Sequence, residues 1–416
     1  MCQKPALLVA LLLPSLALAV DGDRQAPDSS DEAYKPVPWL VPNIQLQSWV
    51  TLWDQDEDPQ ADAGGYGDPE LDTGFTLRRA RFGFSGGWKT VDFSLRFGTG
   101  FPYDQLTAEP PAVDLIDGWA RFSVETPGGT TRISVGQQRV PFSREQQISS
   151  NDLTFQDVSV GGHWLAPNRD LGALLTHDYK WFGVSAGVYN GGGNLWGNAD
   201  NGVLVAGRLE AHVGGDTYRT NAADSAFGIG VGYSFNHQIA TDTHRVGADL
   251  LGRYKGLTLL GEFTMNLIRP DVEPTVLPPE VPEQTMRMGA TGQISYYREV
   301  GIGAVEPAVR FSWLNDATHL QDNGDVAILD AGVSWREPIP FVDLGAGYIH
   351  RMELQGRATG NDSVRVWAGL RYPSRNFKPF DIVDAFRKLG ARPLEREGGD
   401  DPAAMPRPKK QKKPKT

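Results

Sequence analysis

Cysteine is almost missing: Cys2 is the single one in 416 residues. That excludes a disulfide framework and any thiolate-held zinc or iron–sulfur site. Positive charge is also short, with 40 Lys and Arg against 51 Asp and Glu and a formal charge of −11, which argues against a nucleic-acid partner. The seven histidines are scattered and no H-E-x-x-H occurs, so a metal hydrolase has no support. No stretch approaches about 18 uninterrupted apolar residues, which excludes helical membrane spans. No cofactor is implied by any motif.

The one apolar run lies at the start. Lys4 precedes Ala6 to Leu13, Pro14 breaks the run, and Leu16-Ala17-Leu18-Ala19 offers an A-x-A cleavage site. Residues 1–19 therefore read as a secretory signal. The run is too short for an anchor of about 20 residues, and Cys2 precedes it, away from any lipoprotein cleavage position. Residues 20–42 are acidic and proline-bearing and are expected to form an N-terminal arm.

Glycine is plentiful, at 48 residues, with aromatics at 10% and charged residues at 22%. This mixture suits closely paired strands. From Asn43 onward the apolar period is two. Phe93, Leu95 and Phe97 alternate with Asp92, Ser94 and Arg96, while Val364, Val366, Ala368 and Leu370 alternate with Arg365, Trp367, Gly369 and Arg371. Such alternation marks strands with one apolar and one polar face.

Strands are expected at 43–54, 75–85, 88–99, 114–125, 130–138, 170–179, 181–190 and 203–213, then at 225–236, 244–254, 257–268, 284–297, 302–315, 325–337, 341–352 and 362–372, sixteen in all. Most reach the 9–11 residues or so that a tilted membrane strand needs. Their connections alternate between short turns, such as Gly86-Gly87, Lys180 and Lys255-Gly256, and long polar segments at 55–74, 100–113, 139–169, 191–202, 269–283 and 316–324. Only 214–224 is long on the short side. Short periplasmic turns, long external loops and an even strand number are the pattern of an outer-membrane barrel. A closed sheet also pairs every backbone amide in lipid without helices. The expected fold is thus all-β: a 16-stranded antiparallel transmembrane β-barrel over 43–372 with long external loops.

Three motifs are set aside. Gly183-Val184-Ser185-Ala186-Gly187 fits G-x-S-x-G but lies inside an alternating strand, whereas a nucleophile elbow needs strand, turn and helix. Gly228-Ile229-Gly230-Val231-Gly232 follows strand alternation and lacks nucleotide-binding spacing. Asp54, Asp56, Asp58 and Asp62 are spaced like a calcium loop, but Pro59 and Gly65 replace its required glycine and glutamate. An enzyme is not expected.

The segment Arg78-Arg79-Ala80-Arg81-Phe82-Gly83-Phe84, with Asp92 to Gly98 and Leu115 to Phe122, resembles the phosphate-selective porin O and P family. Ser134 to Ser143, Ser149 to Phe155, Asn168 to Gly172 and Gly187 to Gly191 continue the likeness. In order and spacing they resemble that family's constriction-loop region. The resemblance implies a homotrimeric outer-membrane channel, an inward-folding constriction loop at 139–169, and no catalysis. The chain departs from such barrels in continuing past Tyr372 to a lysine-rich end. It also departs in its few lysines.

Between residues 40 and 372 there are 22 arginines and 3 lysines. The lysines, Lys89, Lys180 and Lys255, fall at expected periplasmic turns. Arg79, Arg81, Arg96, Arg121, Arg132, Arg365 and Arg371 fall on polar strand faces. On the lipid face near the midplane each would cost about 2–4 kcal/mol, so they are expected to point inward. A guanidinium is always charged and its planar fork suits phosphate oxygens. Arg139, Arg144 and Arg169 belong to the long loop, where Glu145, Asp152 and Asp157 are candidate partners. Arg139 and Arg144 are the first candidates for an eyelet pair, while His163 beside Trp164 reads as structural.

The expectation is a passive outer-membrane porin for anions, phosphate or polyphosphate first, with Arg79, Arg81, Arg96, Arg121, Arg139, Arg144 and Arg169 as the binding residues. Its surroundings would be outer-membrane lipid and lipopolysaccharide. A general or other-anion pore and a non-conducting structural barrel are the alternatives. Residues 373–416 are expected to form a periplasmic extension, with a short amphipathic helix at Asp381–Leu389 and a basic, disordered end.

Overall fold

A computed structural model describes residues 39–56, 73–100, 113–193, 198, 201–239, 241–270, 284–319, 325–354 and 361–373. The expected signal segment, most of the expected arm, the expected extension and the centres of most of the expected external loops lie outside the described residues. Seventeen strands are present among the described residues. The first eight are β1 (Trp39–Asp56), β2 (Gly74–Trp88), β3 (Val91–Gly100), β4 (Asp114–Thr126), β5 (Gly129–Arg139), β6 (Arg169–Tyr179), β7 (Phe182–Tyr189) and β8 (Val203–Gly214). Then come β9 (Ala226–His237), β10 (Thr241–Tyr254), β11 (Leu257–Pro270), β12 (Thr285–Tyr296) and β13 (Arg298–Glu299). The last are β14 (Ala304–Asn315), β15 (Val326–Ile339), β16 (Val342–Glu353) and β17 (Asn361–Tyr372).

Every pairing is antiparallel, and β1 pairs with both β2 and β17, so the sheet closes on itself. The two-residue β13 resumes the line of β12 past Tyr297, and both pair with β14. The wall is therefore a closed 16-stranded antiparallel barrel, with each expected strand in place to within a few residues. β1 begins at Trp39, four residues earlier than alternation suggested.

Local chemistry makes the turns. At Lys255-Gly256 both residues have positive φ, 49° and 89°, the pair of angles that lets a two-residue hairpin follow the twist of its strands. A Cβ on Gly256 would stand 2.1 Å from the Tyr297 carbonyl oxygen, so only glycine fits. Lys89 and Lys255 lie against the rings of Trp88 and Tyr254, 4.4 and 5.2 Å from the centroids.

Alternation sorts the faces. Along β9, Phe227, Ile229, Val231 and Tyr233 are exposed outward, while Gly228, Gly230, Gly232, Ser234 and Asn236 face in. Trp88, Tyr179, Trp181, Tyr254, Tyr296 and Trp335 are exposed near the short turns. They form an aromatic girdle of the kind that marks a membrane interface. The interior holds most of the buried polar groups, among them Gln45, Gln47, Arg78, Arg208, Asp249, Glu262, Arg310 and Arg336.

Two segments enter the lumen. One is the 140–168 loop between β5 and β6, carrying α1 (Arg144–Gln147) and α2 (Val160–Trp164). Ser143 and Ser159 cap these helices by accepting from the Gln146 and Gly162 amides, supplying partners that a helix start leaves missing. The other is the 215–225 connection between β8 and β9, where Thr217, Thr220 and Asn221 are buried.

Candidate functional site: the constriction

The loop crosses the lumen because it finds partners on the far wall. Leaving β5, Phe142 settles on the glycine row of β9 and β10. A Cβ on Gly232 would be 2.5 Å from the Phe142 carbonyl oxygen and one on Gly247 would be 3.0 Å from its ring. Arg208 on β8 donates to that carbonyl at 2.7 Å. On β11, Glu262 accepts from the Ser143 hydroxyl at 2.5 Å and from the Glu145 amide at 3.0 Å. The loop then returns across the barrel. Gln293 on β12 donates to the Thr154 hydroxyl at 2.8 Å, Thr154 donates to Glu306 on β14 at 2.9 Å, and Arg336 on β15 donates to the Leu153 carbonyl at 2.7 Å. From below, Thr220 and Asn221 donate to the Asp152 carbonyl at 2.6 and 2.8 Å.

Arg144 is an anchor of this arrangement. Its guanidinium is fully buried, with Nε 2.7 Å from Asp249 on β10 and Nη1 donating to the Thr217 carbonyl at 2.9 Å. Arg208 shares Asp249 and Glu210 with it, and Tyr218 lies under both cations, 5.1 and 6.0 Å from its ring centroid. Two cations and two carboxylates thus balance in a desolvated cluster, the condition under which buried charge is tolerated. The two residues of the expected eyelet pair thus have different partners. Arg139, at the top of β5, donates to the Gln147 carbonyl. The expected loop partners differ as well. Arg144 pairs with wall carboxylates and Arg169 with Asp117 at 2.8 Å, while Glu145 accepts from Ser159 and meets Arg310 at 3.5 Å. The partners on the wall are distant in sequence from the loop residues that they hold.

Asp157 clamps the loop to β2, with Arg78 Nε at 2.8 Å and Arg79 on its other oxygen. Burial opposes its charge, but Arg78 and Arg79 prevail and hold its carboxyl well below the usual range. Burial lowers the His163 imidazole to about 4, against a weaker pull from Asp157. Its ring meets Trp164 edge-on at 5.2 Å, the structural role expected for it.

The wall from β2 to β5 is different. Arg96, Arg121 and Arg132 retain side-chain exposures of 25%, 36% and 28%, whereas Arg144, Arg208, Arg310 and Arg336 retain 0–8%. Water reaches the first group and not the second. In the register, Arg121 and Arg132 lie toward the short turns, Arg96 and Arg81 come next, and Arg139 and Arg169 pair at the top of β5 and β6. Arg121 forks onto Asp92, with Nε at 2.9 and 3.1 Å from its oxygens, and Arg96 reaches Asp117 at 3.5 Å. Asp117 and Asp157 are thus shared by four arginines. Arg81, within electrostatic reach of Arg79, Arg169 and Arg96 and of the Asp117 carboxylate, has no carboxylate at salt-bridge distance among the described residues. It donates to the Ser150 hydroxyl at 3.3 Å, and its buried Nε has no hydrogen-bond partner among the described residues.

The profile of the phosphate-selective porin O and P family matches residues 55–332. The chain belongs to that family. The porin is thus a channel of the bacterial outer membrane and not an enzyme, and Gly183 to Gly187 lies inside strand β7. Among solved structures, the porin resembles OmpT of Vibrio cholerae in its loop L8 deletion mutant. That likeness has a TM-score of 0.52 and 12% identity, covering 80% of this chain and 99% of the other. In-vitro folded OmpT in its trimer form gives 0.51 at 12% identity, again over 80% and 99%. At such identity the likeness concerns the fold. No curated protein sequence matches the chain.

Proposed function

We propose that the porin passes anions by diffusion, phosphate or polyphosphate first, along the β2–β5 wall, and that it works as a homotrimer among outer-membrane lipid and lipopolysaccharide. The observation that carries the reading is the charge imbalance around Arg81. Two carboxylates serve four neighbouring arginines there, and Arg81 has none at salt-bridge distance among the described residues. A local excess of fixed cations concentrates anions in a narrow lumen. Guanidinium forks at successive heights offer sites weak enough to leave as well as enter. In this reading Arg81, Arg96 and Arg121 meet the ion. Arg79, Arg139 and Arg169 shape the rim, and Arg144 holds the loop that narrows the path.

The test is the zero-current potential of the purified protein in a planar bilayer under a salt gradient, with phosphate added as a blocker. Anion preference with phosphate block is expected, and Arg81→Gln with Arg96→Gln moves the potential toward neutral selectivity. An unchanged potential in that double variant removes the cluster from selection. Anion preference without block leaves a general anion pore.

A further inference from the structure

The loop begins its crossing on a carboxylate that has no cation. Glu262 of β11 is buried, and both its oxygens serve the loop, accepting from the Ser143 hydroxyl and from the Glu145 amide. Its charged neighbours are themselves carboxylates: Glu145 of α1, and Asp249, its register partner on β10. Thr291, its partner on β12, is uncharged. No guanidinium or ammonium stands at salt-bridge distance from Glu262 among the described residues. An ionised carboxylate is costly to bury without a cation, and more so beside others of its kind, so such a site tends to keep a proton instead.

Glu145 is little better supplied. Its carboxyl accepts from the Ser159 amide at 2.8 Å and from the Ser159 hydroxyl, and α2 seals it from water, since a Cβ on Gly162 would lie 2.5 Å from its Oε2. Arg310 on β14 reaches it at 3.5 Å but is engaged more closely by Asp330 on β15, at 2.8 Å. Burial raises the Glu145 carboxyl against the weaker pull of Arg310. The neighbouring cations have partners of their own. Arg144 and Arg208 balance Asp249 and Glu210, while Arg78 and Arg79 hold Asp157. Around the docked span six carboxylates therefore face five guanidiniums. A single proton on Glu145 and Glu262 restores neutrality, and in a coupled pair it belongs to both. The contacts of Ser143 with Glu262 and of Ser159 with Glu145 can accommodate it, because a serine hydroxyl accepts as well as donates.

We propose that one proton shared between Glu145 and Glu262 latches the loop to β11, and that the loop is released as its surroundings turn alkaline. Undocked, both carboxyls meet water and ionise above about 4.3. Docking that takes up a proton is complete below that value and weakens as pH rises through the docked one. Glu262 is thereby a positioning residue for the loop that narrows the lumen. The inference stands on the docked loop and does not depend on the anion reading. The test is cleavage of the full-length protein in detergent by subtilisin from about pH 7 to about pH 9.5, above the range in which His163 titrates, with rates normalised to an unfolded substrate at each pH. Cleavage within 140–168 is expected to rise about tenfold in the unaltered protein and to stay flat in Glu262→Gln and in Glu145→Gln, where the charges balance without a proton. The infrared band of a protonated carboxyl is expected to fade over the same range in the unaltered protein and in neither variant. The heat-dependent shift in electrophoretic mobility verifies that the variants are folded barrels. A flat cleavage profile in the unaltered protein overturns the proposal, as does a parallel rise in the folded variants. Cleavage raised equally at every pH in Glu262→Gln marks a merely structural carboxylate and overturns it too, and so does the absence of a titrating carboxyl band from the unaltered protein.

Discussion

Gly232 shows how much a missing side chain decides. Its Cβ position lies 2.5 Å from the Phe142 carbonyl oxygen, a backbone atom that cannot swing aside. Gly232→Val is therefore expected to lift the start of the loop from the wall at a cost of about 1–3 kcal/mol, seen as a lower melting temperature and a noisier single-channel current. Gly207→Ala meets only an ordinary 3.5 Å contact with the Ser185 carbonyl and leaves both unchanged. That Gly228, Gly230 and Gly232 follow strand alternation was legible in the sequence, but not what rests on them. The same holds for Arg144. Its place in the long loop was legible, whereas Asp249 and Glu210, the groups that capture it, lie 105 and 66 residues onward on other walls. Short-range alternation carries no information about which inward groups meet across a lumen.

At the scale of elements, the loop behaves as a span tied at both walls. Arg144→Ala leaves Asp249 and Glu210 with Arg208 alone in a desolvated site, a loss of about 3–5 kcal/mol. New proteolytic cleavage within 140–168 is expected in an otherwise intact barrel, with the sign of ion selectivity retained. Acidification acts on the span through His163. Undocked, its imidazole takes a proton near the ordinary value of about 6.5, while docked it stays neutral until about 4. Docking stability is thus complete above the first value and declines as pH falls toward the second. Asp157 contributes little above about pH 5, because its carboxyl is charged there both docked, where it titrates lower, and undocked, where the ordinary value is about 3.9. The buried carboxyl of Glu145 in the same loop is raised by burial and works in the opposite sense, so between pH 7 and about pH 5 the protease sensitivity of the loop should rise more in the unaltered protein than in His163→Gln. Strand positions were legible because period-two alternation is a local property. The break that separates β13 from β12 and the inward course of 215–225 were not, since each depends on contacts made with distant strands.

For the whole molecule, closure and polarity reversal explain one another. The apolar face lies outside, so the interior inherits the charges, and the barrel must balance them within itself. Most of the wall does this by pairing, as at Arg310 with Asp330 and Arg336 with Glu306. The β2–β5 wall does so incompletely, and the conduction path is proposed there. The seam where the first strand meets the last is also held from inside. Gln45 and Gln47 on β1 donate to Ser150 at 2.8 and 3.1 Å, and Arg371 on β17 donates to the Asn151 carbonyl at 3.4 Å. Adjacent loop residues thus grip both sides of the junction. Under tension between its ends such a barrel does not unzip as a bare sheet edge does. The span across the lumen shares the load as a tie-rod would, and it must give way before the cylinder can unroll.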